Sequence, residues 1–225
     1  MSESKTIRLD GRGFLRLAGE DARTFLQGLV SNDVAKCQPD RALWSAFLTP
    51  QGKFLYDFFL AEASDHALLL ETEASRCEEF RKRLSLYKLR SKIEIRPAPE
   101  WIAASAFGRD ALALLGLEAR PGCARPFAGG LAYADPRLAE AGARLILPAE
   151  AGLKPLFDLG FSESSQAAWD VQRIALGLPD GSRDLVPEKT LLLEAGFDEL
   201  QGVDFKKGCY MGQELTARTK YRGLI

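Results

Sequence analysis

The residues best suited to chemistry cluster near the C-terminal end of the sequence. Residues 206–222 read KKGCYMGQELTARTKYR. They hold Lys206, Lys207, Arg218, Lys220 and Arg222 against Glu214 alone, a local charge of +4 in a chain of 225 residues whose formal net charge is −1. A focused basic patch on an otherwise acidic chain suits an anionic small ligand or a locally acidic partner better than a long polyanion. The plain alternative is a solvated, lysine-rich loop. Cys209 lies inside this stretch, with Gly208 before it and Gly212 three residues later. Two glycines around one cysteine indicate a tight backbone, in a turn or closely approached by a ligand. Adjacent lysines favour the thiolate, which is a nucleophile, a redox group or a soft metal ligand. Otherwise a lone cysteine is a small buried hydrophobe, the reading taken for Cys37, Cys77 and Cys123. Tyr210, Gln213 and Glu214 add an aromatic face, an amide and a carboxylate. Such a set can stack on a heterocycle and read its donor and acceptor edge. It suits a pterin-like ligand without singling one out.

Other chemistries are excluded by what is missing. The four cysteines show no C-x-x-C or C-x-x-H spacing, so no resident metal site is expected. The single histidine, His66, sits in SDHALLL beside a strand-like run and reads as a turn or strand-edge residue. Hydrophobic residues at 46% and charged residues at 27% describe a globular chain with a sizeable core. At about 150 residues per domain, one or two domains are expected. The balanced charge argues against general nucleic-acid binding, and no apolar run approaches the ~18 residues of a membrane span. The N-terminal MSESKTIRLDG lacks an export segment, so a reduced, cytoplasmic, monomeric protein is expected.

The elements that position these residues are clearest in the first third. Residues 13–17 alternate as a half-buried strand does, and Ala22, Phe25, Leu26 and Leu29 fall at helical spacing behind Glu20 and Asp21 as capping candidates. Strands are expected at 43–48, 54–61 and 67–71, an amphipathic helix at 74–90, and a closing strand at Ile93 and Ile95. Strand, helix, three strands, helix, strand indicates an α+β unit with helices on an antiparallel sheet. After Pro97-Ala98-Pro99, strands are expected at 101–107, 130–134 and 144–147 and a short helix at 111–117. Residues 121–130 read as a loop. A helix is expected at 164–176, with Trp169 and Ile174 in the core. From about Asp184 the periodicity is weak.

Four segments in order carry a family resemblance. Residues 207–214, KGCYMGQE, followed by Thr216-Ala217-Arg218, resemble the signature of the YgfZ family, folate-binding relatives of the glycine-cleavage T-protein. Residues 25–34, FLQGLVSNDV, are similar to a second family segment; Leu48 to Lys53 with Asp57 resemble a third, and Arg173-Ile174 with Gly177-Leu178-Pro179 a fourth. The resemblance implies an α+β, GcvT-like fold with antiparallel sheets flanked by helices. A ferredoxin-like subdomain would span 8–97, completed by 179–225, with a second α+β subdomain at 98–178. It implies a central channel that binds tetrahydrofolate. It also implies a role in making or repairing iron–sulfur clusters, mostly [4Fe–4S], in client enzymes such as radical-SAM proteins that modify tRNA. The mitochondrial branch, to which Tyr87-Lys88-Leu89-Arg90 is also similar, works alongside A-type carriers.

Carried over residue by residue, the resemblance makes Cys209 the functional thiol. Asn32, Asp33, Lys207, Gly208, Tyr210, Gly212, Gln213, Glu214 and Arg218 become candidates to hold folate, its anionic tail or a partner. Asp57 matches the T-protein's essential acid; its alternative is a polar residue on the outer face of FLYDFFL. In the T-protein, the helix matching 173–177 carries a glutamate that recognises the pterin. Here that position is Ala175. The T-protein also lacks the cysteine signature. Both departures favour an assembly factor over a tetrahydrofolate-dependent aminomethyltransferase that would use Asp57. The family usually continues into a small β-barrel, whereas this sequence stops at Gly223-Leu224-Ile225, so the barrel is expected to be absent or truncated.

Overall fold

The long apolar run FLYDFFLAE sets the architecture, because a strand without polar alternation must be covered on both faces. The computed structural model describes residues 4–222. In chain order they form β1 (Lys5–Arg8), β2 (Arg12–Ala18), α1 (Ala22–Gln27), β3 (Leu43–Leu48), β4 (Phe54–Glu62), β5 (Leu68–Glu73), α2 (Cys77–Leu86), β6 (Glu94–Pro97), β7 (Trp101–Phe107) and α3 (Ala111–Leu114). There follow β8 (Ala124–Phe127), β9 (Gly130–Ala134), β10 (Ala143–Pro148), α4 (Lys154–Phe157), β11 (Ser162–Glu163), α5 (Gln166–Ala175) and α6 (Gln213–Arg222).

Two sheets result. One is antiparallel, in the order β3-β4-β5-β2-β6. The other runs β11-β1-β7-β10-β9-β8 and is antiparallel except for the β1–β11 pair. Every residue of β4 is buried. Tyr56, Phe58 and Leu60 point to one face, where Phe80 and Leu84 of α2 and Leu26 of α1 cover them. Phe59 and Ala61 point to the other, into a core shared with Tyr133 and Ile146 of the second sheet, Trp169 of α5 and Phe197. β4 therefore has no solvent-facing side, and Asp57 is buried between the sheets rather than on an outer face.

The α+β class with antiparallel sheets and flanking helices is the one read from the sequence. Several details differ. Residues 121–130 contain the edge strand β8, where Pro126 is tolerated beside a two-residue turn. The helix expected at 74–90 begins as a 3-10 turn and ends at Leu86. Asp21 does not cap α1; its carboxylate accepts from the Lys92 backbone N–H at 2.7 Å. Trp169 is in the core, but Ile174 is 62% exposed. Among the described residues there is no closed barrel, and no helix is long and apolar enough to cross a membrane. Gly223-Leu224-Ile225 lie outside the described residues.

Candidate functional site

A cavity of about 350 Å³ opens between the two sheets. Asp57 of β4, Arg12 of β2, Arg144 of β10, Trp169 and Arg173 of α5, Arg137 and Asp180 all line it. Asp57 Oδ2 accepts a hydrogen bond from Trp44 Nε1 at 3.0 Å, while Oδ1 is buried without a partner. Burial pushes this carboxyl above its ordinary range, and the Arg12 guanidinium and the Trp44 N–H only partly offset that. The charges around it are tightly paired. Glu71 of β5 accepts from Arg12 Nε at 3.1 Å, from the Arg144 guanidinium and from the Tyr133 hydroxyl at 3.2 Å. Arg137 grips Asp135 with two guanidinium bonds at 3.0 and 2.8 Å and donates to Pro179 O at 2.7 Å. The Arg144 guanidinium lies 3.8 Å over the Phe59 ring. The site thus combines an unpartnered acceptor, an aromatic wall and guanidinium groups fixed in position.

Sequence reasoning missed Arg12, Arg137 and Arg144. For Arg144 a signal was present: it shares a strand face with core residue Ile146, two positions on, so the period of two points its charge inward.

The C-terminal motif forms a second locus. Gly212 and Gly52 both adopt positive φ, each +80°. A Cβ on Gly212 would lie 2.5 Å from Thr49 O, and one on Gly52 would lie 2.7 Å from Gly212 O. The 49–53 turn and the 208–212 loop therefore interlock through glycine. Lys207 points inward: its ammonium donates to Gln27 O at 2.6 Å and to Val30 O, and sits 4.9 Å over the Tyr210 ring. Burial brings this lysine down to about 8, against the opposing pull of Asp33 and Asp204. Gln27 Nε2 donates to Asp33 Oδ1 at 3.0 Å and to Lys207 O at 3.3 Å, tying the FLQG segment to the KGC segment. Asn32 Nδ2 donates to Trp44 O at 2.8 Å and Gln201 O at 2.7 Å. Gln213 Oε1 accepts from the Tyr210 N–H at 3.1 Å.

Cys209 is exposed in this loop, beside Gly208, which adopts φ +92° in open space. Cys37 is fully buried, and burial pushes its thiol up to about 12; that of half-buried Cys77 rises to about 11 for the same reason. Much of the basic patch is satisfied locally. Arg218 pairs with Glu214 at 2.7 Å, and Lys220 pairs with Asp198 at 2.8 Å. His66 is an exposed turn residue whose Nδ1 lies 2.7 Å from Glu62 Oε1. Among the described residues, no three His, Cys, Asp or Glu side chains are arranged to hold a metal ion.

The sequence-predicted residues thus fall into two groups. Asn32, Asp33, Lys207, Tyr210, Gly212 and Gln213 come together around the loop that displays Cys209. Asp57 stands apart, in the inter-sheet cavity. Trp44 links the groups, offering its carbonyl to Asn32 and its indole N–H to Asp57. Ala175 is exposed and does not line the cavity.

No protein-family model matches the chain. Among curated proteins it is 38% identical to the human iron-sulfur cluster assembly factor IBA57, mitochondrial, covering 97% of this chain and 63% of the human protein. It is 36% identical to the Mus musculus protein of that name, with the same coverage. Its identity with the Neurospora crassa homolog is 31%, covering 97% of this chain and 51% of that protein. The chain thus spans between half and two thirds of the length of these relatives. All three are named as mitochondrial, which overturns the cytoplasmic expectation. A polar N-terminus without an export segment separates secreted chains from others; it does not separate cytoplasm from mitochondrion. Among solved structures, the glycine cleavage system aminomethyltransferase T from Bartonella henselae superposes with a TM-score of 0.79 over 98% of this chain and 64% of that one, at 17% identity, a likeness of fold. Fold and relatives together fit a YgfZ/GcvT-like family: the chain shares its fold with the aminomethyltransferase T and 31–38% of its sequence with the mitochondrial IBA57 assembly factors.

Proposed function

We propose that this chain assists assembly or repair of iron–sulfur clusters, chiefly [4Fe–4S], in client enzymes that include tRNA-modifying ones. In this reading Cys209 is the functional thiol, and the inter-sheet cavity holds a reduced folate. The observation that carries the folate half is the buried, unpartnered Oδ1 of Asp57 on the cavity floor. The pterin head of tetrahydrofolate carries N–H donors and a flat ring, which an orphan acceptor in a cavity also lined by Phe59 and Trp169 fits. Bound there, tetrahydrofolate would supply a carrier for one-carbon units. The chain's own residues orient it: Asp57 accepts from the ring, and Trp44 fixes the carboxylate. The assembly half rests on the relatives' names and on Cys209, the exposed thiol of the four cysteines. Residues 8–97 with 179–225 would form the unit carrying both loci, and residues 98–178 would close the cavity's other wall. The partners are then A-type carriers and client apoproteins.

The fold and Asp57 also favour a second reading, aminomethyl transfer to tetrahydrofolate. Against it, the helix position that would recognise the pterin is Ala175, which lies outside the cavity. Calorimetric titration with reduced tetrahydrofolate, alongside growth rescue of cells lacking the endogenous factor, separates these readings. Asp57→Ala is expected to weaken folate binding roughly tenfold or more. Cys209→Ala is expected to spare folate binding and abolish rescue. Full rescue by Cys209→Ala would remove the thiol role, and Asp57-dependent formation of methylenetetrahydrofolate from an aminomethyl donor would establish the second reading.

A further inference from the structure

We propose that the loop after α2 is a docking surface for a partner protein that presents an apolar side chain on an acidic surface beside Cys209. Leu86 is 77% exposed, Tyr87 39% and Leu89 90%. Leu89 also holds φ +42°, the left-handed region that a leucine disfavours. Single exposed leucines are ordinary; three large apolar residues within four positions, one of them strained, mark a surface kept for contact. Cations alternate with them. Among the described residues no carboxylate pairs with Lys53, Lys88, Arg90 or Lys206, whereas Glu79 holds Arg83 and Glu20 holds Lys92. Unpaired cations around apolar groups complement an acidic, apolar counterpart.

The loop stands between two hollows. Leu86 and Tyr87 border one of about 440 Å³, walled opposite by the β3–β4 turn at Thr49 and Lys53. Leu89 and Arg90 border the other, a shallow and open depression floored by Thr24 and Phe25 of α1. The acids there are already engaged: Asp21 by the Lys92 N–H, and Glu188 by Arg83 at 3.8 Å. Hollows beside a protruding apolar group suit an interdigitating protein rather than a flat lipid surface. Both walls lead to Cys209. Gly28 lies three residues beyond Phe25, at the end of the same helix, and its carbonyl accepts from the Met211 N–H. The β3–β4 turn meets the same loop through Gly52 and Gly212. A partner seated on Leu86 and Leu89 would therefore lie against the loop that displays the thiol.

The choice of probe rests on the proposed cluster-assembly role. A purified A-type carrier from the same source would be titrated, by fluorescence anisotropy, against wild type, Leu86→Ser/Leu89→Ser, Lys88→Glu/Arg90→Glu and Cys209→Ser. Each loop variant is expected to bind roughly tenfold more weakly or worse with an unchanged thermal midpoint, and added salt is expected to weaken wild type. Equal binding by wild type and both loop variants would overturn the docking surface while leaving the assembly role standing. No binding by wild type would overturn the surface too, and the Cys209-dependent growth rescue would then decide the assembly role separately. Flotation of wild type with phosphatidylcholine–phosphatidylserine vesicles, lost in the leucine variant, would assign the loop to a membrane and overturn the proposal.

Discussion

Asp57 is an acid on a strand that buries both its faces, and one of its oxygens has no partner. Burial raises its native pKa above the unfolded value of about 3.9, so the native state binds this proton more tightly. The stability it contributes is fully present below the unfolded value and is lost as pH rises through the raised native value. At neutral pH the carboxylate therefore costs stability. Asp57→Asn keeps an acceptor for Trp44 Nε1 and removes the charge. It is expected to be about 1–2 kcal/mol more stable than wild type at pH 7, a gain that disappears below about pH 4. Urea unfolding at both pH values measures this. A variant less stable at pH 7 would mean that attraction to Arg12 and Arg137 outweighs burial, and that Asp57 serves the fold rather than a ligand.

At the scale of elements, the loop displaying Cys209 is tied by the side chains of Lys207 and Gln27 and meets the 49–53 turn backbone to backbone. Gly52→Ala would push a Cβ against Gly212 O and against Leu215 Cβ, 2.8 Å away, and must also hold φ +80°. It is expected to cost about 1–3 kcal/mol and to loosen the 208–212 loop. Gly208→Ala faces open space and is expected to cost only about 1 kcal/mol, from its positive φ. Thermal unfolding and the alkylation rate of Cys209, faster in Gly52→Ala alone, test the pair. Elements whose stability is local were legible in the sequence. β3, β4, β5 and α5 each carry their own period or apolar run. β1 and β11 were not, because strands of four and two residues exist only through their partners. α6, QELTARTKYR, lacks a clean apolar stripe, so its period stayed hidden. The thiol locus was legible from its residue types, since glycine, cysteine and lysine together are distinctive. The arginine-lined cavity was not: Arg12, Arg137 and Arg144 converge from distant segments, Arg12 and Arg137 each alone read as surface charges, and the inward register of Arg144 does not say what it faces.

Over the whole molecule, charge rather than apolar packing bridges the two sheets at the cavity. Glu71 belongs to one sheet and is fully buried; it binds Arg12 of its own sheet and Arg144 and Tyr133 of the other. Such a network stabilises little relative to an apolar substitute, but removing one member leaves the rest buried and unmatched. Glu71→Gln is therefore expected to lower stability by about 3–5 kcal/mol. The double variant Glu71→Leu/Arg144→Met removes the charge and its main cross-sheet partner together, and is expected to recover a large part of that loss. The cost should then appear elsewhere: the cavity wall loses the Arg144 guanidinium, and on the proposed function folate affinity falls even though stability returns. Denaturant unfolding set beside folate titration separates the two effects. Recovery of stability with folate affinity unchanged would show that the ion network serves the fold alone. Recovery with affinity lost would show that the fold forgoes a drier, simpler core to keep a charged cleft open between its sheets.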